Sequence, residues 1–328
     1  MTLLLSSMLL SLVWFAATNA AASLVAWTLG RLMVIRPDRF GAGLLLTVRL
    51  LPAVASSVFV LAVFLPAHWR FEPTDTDESF GVVLGALAMT VVWLALAGAW
   101  RAGRASLADH RFAALARRAG TLVEGDASRS FVLFVLDGLP GVSLSGIWQP
   151  RILIGSEVLA ALTPAELDVA ISHEIAHKRS RDNLKRLLMF CAPDLFGWTA
   201  VARQLEERWE AEAECEADAH AVMGDGRRAV VLASALVKVA RLGRVGSLQP
   251  VAIAGPAAWT LSSAFHVPTL LEMRVRRLVS GSALPPVATG RLAWPGATLS
   301  LGIAAGLWLI GFSYTLHLVT EAMVTNLP

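Results

Sequence analysis

Residues 173–177 read His-Glu-Ile-Ala-His. On a helix the two histidines lie one turn apart on one face. Two imidazoles at that spacing can share one tetrahedral Zn2+, and Glu174 then projects close to the metal-bound water and can take its proton. The chemistry is metal-assisted hydrolysis. A catalytic zinc also needs a third protein ligand and an open position. The metzincin continuation would place a glycine and a histidine three and six residues beyond His177, where this chain has Ser180 and Asn183. A second helix must therefore supply the third ligand. The acidic stretch 202–223 offers two rows at four-residue spacing: Glu206, Glu210, Glu214 and Asp218, or Glu212, Glu216 and His220. Like charges at i,i+4 are mildly destabilising, and a divalent cation facing one row would relieve that. Helix geometry leaves both rows open.

The elements that must hold these residues are legible around them. "TPAEL" places Thr163 as N-cap, Pro164 at the first helical position and Glu166 three residues after the cap. That capping box opens a helix through residue 177. Upstream, "FVLFVL" (131–136), "VSLS" (142–145) and "RILIG" (151–155), separated by glycines and prolines, predict a small sheet. The "VSLSG" edge is the expected place for an extended substrate to add as a strand. The apolar but broken segment 187–200 reads as an interfacial or buried hairpin on the membrane side. Helices are expected over 101–119, 202–223 and 227–242, and a basic one over 265–279.

The rest of the chain is far more apolar. Of 328 residues, 55% are hydrophobic and 16% charged, which is too apolar for an ordinary soluble domain. Uncharged apolar runs over 1–30, 50–67, 80–100 and 292–320 are each long enough to cross a hydrocarbon core. Four transmembrane helices follow, with Pro52 inside the second and Arg49 at its edge, read as snorkelling to the interface. The first run lacks a basic leading region and is followed by further spans, so it is read as retained. Arginines cluster at 31–49 and from Arg101 onward, whereas no Lys or Arg precedes Arg31 or follows Arg291. The expected topology puts both termini outside and residues 101–291 in the cytoplasm. A disulfide between Cys191 and Cys215 is not expected there; Cys215 is read as a small buried thiol. The net charge of +3 carries no cluster suited to nucleic acid.

"SHEIAHKRSRDN" followed by "EAECEADAHAV" resembles the membrane-embedded zinc peptidases. Two families fit: the BlaR/MecR-type antirepressor peptidases, which are gluzincin-like, and the heat-shock membrane protease and prenyl-protein endopeptidase family. Both pair H-E-x-x-H with Glu-x-x-x-Asp on a later helix, a pattern that maps onto Glu214 and Asp218. The resemblance implies Glu214 as third ligand and Asp218 as an acceptor holding a ligand imidazole in the right tautomer. "GIWQPRILIG" is similar to the Gly-x-x-x-Pro-x-Ile strand of the BlaR/MecR type. "HKRSRDN" is similar to its H-x-R-R-x-D-N ending, with Arg179, Asp182 and Asn183 matching and Ser180 departing. The β-lactam sensors of that family carry a sensor domain after the last span, where residues 321–328 follow here; the expected trigger is therefore a different one. "HVPTLLEMRVRRL" loosely resembles a segment of the prenyl-endopeptidase relatives. That likeness implies His266 or Arg274 as transition-state or substrate contacts; otherwise the segment is a structural or membrane-surface basic helix.

The expected fold is thus an α-helical integral membrane protein with four transmembrane helices and a cytoplasmic α+β zincin-like metalloprotease domain. Its parts are three spans over 1–100, the protease domain over 101–291, and a fourth span with a short tail over 292–328. The expected activity is zinc-dependent endopeptidase cleavage, with one Zn2+ on His173, His177 and Glu214 and with Glu174 as base. The partners expected are a protein substrate (a repressor or a membrane protein) and the lipid bilayer. A zinc-stabilised scaffold is the competing reading, but a scaffold needs the ligands and not Glu174. A transporter would need ionisable residues in its spans, which are nearly free of them.

Overall fold

The computed structural model describes residues 3–35, 40–71, 81–124, 132–139, 141–245, 263–264, 268–280 and 314–326. They fall into two compact units. One comprises the described residues of Met1–Ala99, Cys191–Arg208 and Gly290–Pro328, the other those of Trp100–Phe190 and Trp209–Thr289.

The first unit is helical. Three stretches, Leu4–Ile35, Ala42–Phe71 and Val82–Arg111, are long and apolar enough to cross a membrane. They lie in α1 (Leu3–Ile35), in α2 (Ala42–Phe59) with its continuation through a π-helical turn (Val60–Phe64) into α3 (Leu65–Phe71), and in α4 (Val82–Ala119). Pro52 does not end α2; the Ser56 hydroxyl donates to the Pro52 carbonyl at 2.6 Å. The basic run 101–119, expected as a helix leaving the membrane, is the continuation of α4. Residues 314–326 form a helix, from which Leu316 packs with Leu10, Phe64 and Ala67, and Trp14 Nε1 donates to Thr320 Oγ1 at 3.1 Å. Residues 292–313, the larger part of the expected fourth span, lie outside the described residues.

Arg49 corrects its sequence reading. It does not snorkel: it is buried, with Nε donating to Glu206 at 2.7 Å and Nη1 to Asp194 at 3.2 Å. A buried guanidinium is tolerable only when its donors are met by carboxylates. The partner comes from segment 187–200, which is not one hairpin. Helix α7 (Asp182–Cys191) ends inside it and α8 (Ala200–Val222) begins at its end. The turn between them is held by α1: Asn19 Nδ2 donates to Pro193 O, Leu195 N donates to Asn19 Oδ1, and Ser23 donates to Asp194.

The second unit is α+β. Five strands, β1 (Thr121–Glu124), β2 (Val132–Leu136), β3 (Val142–Ser145), β4 (Arg151–Gly155) and β5 (Ser263–Ala264), form one mixed sheet in the order β1-β2-β4-β3-β5. The β2–β4 pair is parallel and the others antiparallel. Alternation along the strands gives the sheet two apolar faces. Leu133, Val142, Leu144, Ile152 and Ile154 pack with Val169 and Ala170 of α6 (Pro164–Ser180) and with Leu232, Leu236 and Val239 of α9 (Gly226–Val245). Phe134, Leu136 and Leu153 form a cluster with Leu139 on the other face. A short α5 (Ser156–Ala161) follows β4, and α10 (Pro268–Val279) packs on α9. The β3 edge expected to be open is not an edge. Two residues of β5 pair with Ser143 and Leu144, and every β3 residue is buried. Separations of more than a hundred residues between pairing strands leave no local pattern to read.

Candidate metal centre

Helix α6 starts where its cap chemistry requires. The Thr163 side chain accepts from Glu166 N, and Thr163 N donates to the Glu166 carboxylate at 2.8 Å. Ser234 and Lys238 of α9 reach the same carboxylate at 2.7 and 2.8 Å. Burial alone would push the Glu166 carboxyl up, but Lys238, Thr163 and Ser234 together hold it at about 2. The helix start is thereby tied to α9 through a fixed anion.

One turn apart on α6, His173 and His177 are both fully buried, and their rings meet edge-on with centroids 4.7 Å apart. Each ring has a carboxylate on Nδ1. Asp218 of α8 stands 2.9 Å from His173 Nδ1, and Asp182 stands 2.8 Å from His177 Nδ1. The Asp182 hydrogen bond orients the His177 ring, Asp218 pairs with His173 electrostatically, and both Nε2 atoms face each other at 3.1 Å. Glu214 closes the triangle, with one oxygen 3.3 Å from His173 Nε2 and the other 3.4 Å from His177 Nε2. His173, His177 and Glu214 form a buried group that could hold a metal ion. Ligand atoms held at roughly 2.0–2.1 Å by one tetrahedral ion stand about 3.3 Å from one another; the two Nε2 atoms are at 3.1 Å, and Glu214 reaches each of them through a different oxygen. Among the described residues, neither oxygen of the fully buried Glu174 carboxylate has a hydrogen-bond partner. An orphaned acid beside three converging ligands fits a site built for an ion and a water molecule.

The electrostatics are set by Arg274, itself 1% exposed. Its Nε and Nη2 donate to the two oxygens of Asp218 at 2.8 and 2.6 Å, and its Nη1 lies 2.8 Å from Glu214. Burial pushes the Glu214 and Asp218 carboxyls up, but Arg274 and the histidines more than offset this and keep both low. Burial pushes the two imidazoles down. The carboxylates outweigh it, so both are raised, His177 to about 10. Glu174 has no such rescue: burial raises it, and neighbouring charges only partly offset the effect.

Compared with known proteins, the chain matches no protein-family model and no curated sequence. Of the residues singled out in the sequence, the structure brings together His173, Glu174, His177, Glu214, Asp218 and Arg274. Arg274 donates to Asp218 and forms an ion pair with Glu214, so it acts on the site through them. The competing row faces outward: Glu216 and His220 are exposed, and His220 Nδ1 meets the Glu216 carbonyl of its own helix at 2.9 Å. His266 lies outside the described residues. Cys215 is a free, buried thiol. Of the residues matched by likeness alone, Asp182 holds His177, and Asn183 donates to the Leu144 and Gly146 carbonyls at 3.1 and 3.0 Å. A short polar side chain just past a ligand-bearing helix was the available signal.

Proposed function

We propose that this chain is a membrane-embedded zinc-dependent endopeptidase with a zincin-like catalytic unit. One observation carries the reading: two imidazoles and a carboxylate converge with their ligand atoms close together, next to a buried carboxylate that has no hydrogen-bond partner among the described residues. Two nitrogens and one oxygen suit zinc, and three protein ligands leave the open position of a catalytic site. A structural site would be closed by a fourth ligand.

Held by His173, His177 and Glu214, Zn2+ would polarise the scissile carbonyl and lower the pKa of a water molecule there. Glu174 takes the water's proton on a carboxylate oxygen and delivers it to the leaving amine. Asp218 and Asp182 keep each ligand imidazole with its proton on Nδ1. Arg274 balances the charge of Glu214 and Asp218 and fixes their orientation.

The motif likeness to the BlaR/MecR-type peptidases supports a repressor or membrane-proximal protein as substrate, and the Lys/Arg distribution supports a cytoplasmic catalytic unit. The test is mass spectrometry of new protein N-termini in cells expressing the wild type against Glu174→Ala. Termini produced by the wild type alone are expected. Identical profiles, with zinc bound to both proteins, would favour a zinc-stabilised scaffold instead.

A further inference from the structure

Away from the metal group, the second unit has a cleft of about 270 Å3 between the end of α4 and the β3–β4 turn. Its walls include Asp109, Arg117, Ser145, Gly146, Trp148 and Arg151, and Asp109 is its one acidic residue. Asp109 accepts from the Ile147 backbone N–H and the Ser145 side chain and is paired electrostatically with His110 and Arg151, and Arg151 Nη2 donates to Gln149 Oε1 at 3.4 Å. The two guanidinium groups are therefore in excess over the carboxylate that faces them. Arg117 is exposed and Arg151 half-buried, and Trp148, 76% exposed, adds an aromatic surface at the rim.

The cleft shares backbone with the metal centre's support. Gly146, in its wall, and Leu144 both accept from the Asn183 amide, and the preceding residue, Asp182, holds His177. A chain segment bound in the cleft would lie against the strand that flanks the metal-bearing helix.

We propose that this cleft binds an acidic side chain of an extended polypeptide, so that the enzyme selects substrates with Asp or Glu near the cleaved bond. The proposal rests on the peptidase reading for its biological purpose. A phospholipid phosphate would suit the same guanidiniums, but the position disfavours it. Arg101 is the first charge after the apolar run of α4, and Asp109 and Arg117 lie about 12 and 24 Å beyond it along the helix.

The test uses the full-length Glu174→Gln chain in nanodiscs of zwitterionic lipid and does not require turnover. Fluorescein-labelled peptides carrying Glu or Asp are compared by anisotropy with peptides differing only in Gln or Asn. The acidic peptides are expected to bind about tenfold more tightly. That preference should vanish in the Arg117→Gln, Arg151→Gln double variant at unchanged zinc content. Equal affinity for the two peptide sets, or a preference that survives in the double variant, overturns the proposal. Native mass spectrometry supplies the lipid arm. Phosphatidylglycerol retained by the parent and lost from the double variant, with peptide preference unmoved, assigns the cleft to a headgroup and also overturns it. If the acidic preference behaves as expected but the chain with Glu174 intact cleaves nothing, the cleft stands and the peptidase reading falls.

Discussion

His177 Nδ1 stands 2.8 Å from Asp182 Oδ2, five residues further along the chain. In an uninterrupted α-helix, five residues rotate by about 500°, which leaves the side chains roughly 140° apart. The contact exists because α6 ends at Arg181 in the left-handed conformation, φ 55°, and α7 starts at once in a new direction. Asp182→Asn should keep the fold and weaken zinc affinity by about 10–100-fold, read by competition with a chelating dye. Arg181→Gly, which adopts this conformation freely, should leave affinity unchanged, whereas Arg181→Val should lower both stability and affinity. Unaltered zinc binding in Asp182→Asn would mean that the carboxylate does not orient the ring.

Arg274 is the countercharge for two buried carboxylates. Its removal takes away the guanidinium they share, a loss on the order of 3–5 kcal/mol for a buried pair. Bound zinc would restore part of the missing positive charge. Thermal melts of Arg274→Ala should therefore show a large drop without metal and a smaller one with it. Arg274→Lys should recover little, because a lysine cannot span both oxygens of Asp218 as the guanidinium does. Equal destabilisation with and without zinc would separate Arg274 from the metal group.

The two acidic rows of α8 can be told apart by metal content. Glu214→Ala should lose zinc, while Glu216→Ala, exposed in the structure, should retain it. Atomic absorption on the purified proteins decides, and the reverse order would mean that the wrong face of the helix was assigned.

Two pH dependences follow, and both effects weaken as pH falls. Glu166, held at about 2 against an ordinary 4.5, contributes stability that is present above 4.5 and lost as pH falls through 2. Glu166→Gln should flatten that acid limb in a denaturation series. His173 and His177 hold protons more firmly than usual in the metal-free protein, and zinc must displace them. Zinc binding should release protons and weaken as pH falls, which calorimetry in buffers of different ionisation enthalpy measures directly.

Local chemistry made much of this protein legible in its sequence. The capping box at Thr163 and Glu166 needs residues three apart, β2, β3 and β4 show as apolar runs between turn residues, and three of the apolar helices follow from uncharged length. His173, Glu174 and His177 belong to the same class, since one helical turn sets their relationship. Glu214 and Asp218 were reachable only through likeness, because an isolated helix presents both of its acidic rows equally. Tertiary structure settled what depends on distant partners. It relieved the acidic row with cations from elsewhere in the chain: Arg49 meets Glu206, Arg186 stands 3.5 Å from Glu210, and Arg274 takes Glu214 and Asp218. Nothing local to α8 names these arginines. It also placed β5 on β3 and turned Asp182 back onto His177. The reason is physical: helix and turn propensities act over a few residues, whereas a buried charge is answered by whichever opposite charge the packing of the whole chain brings within reach.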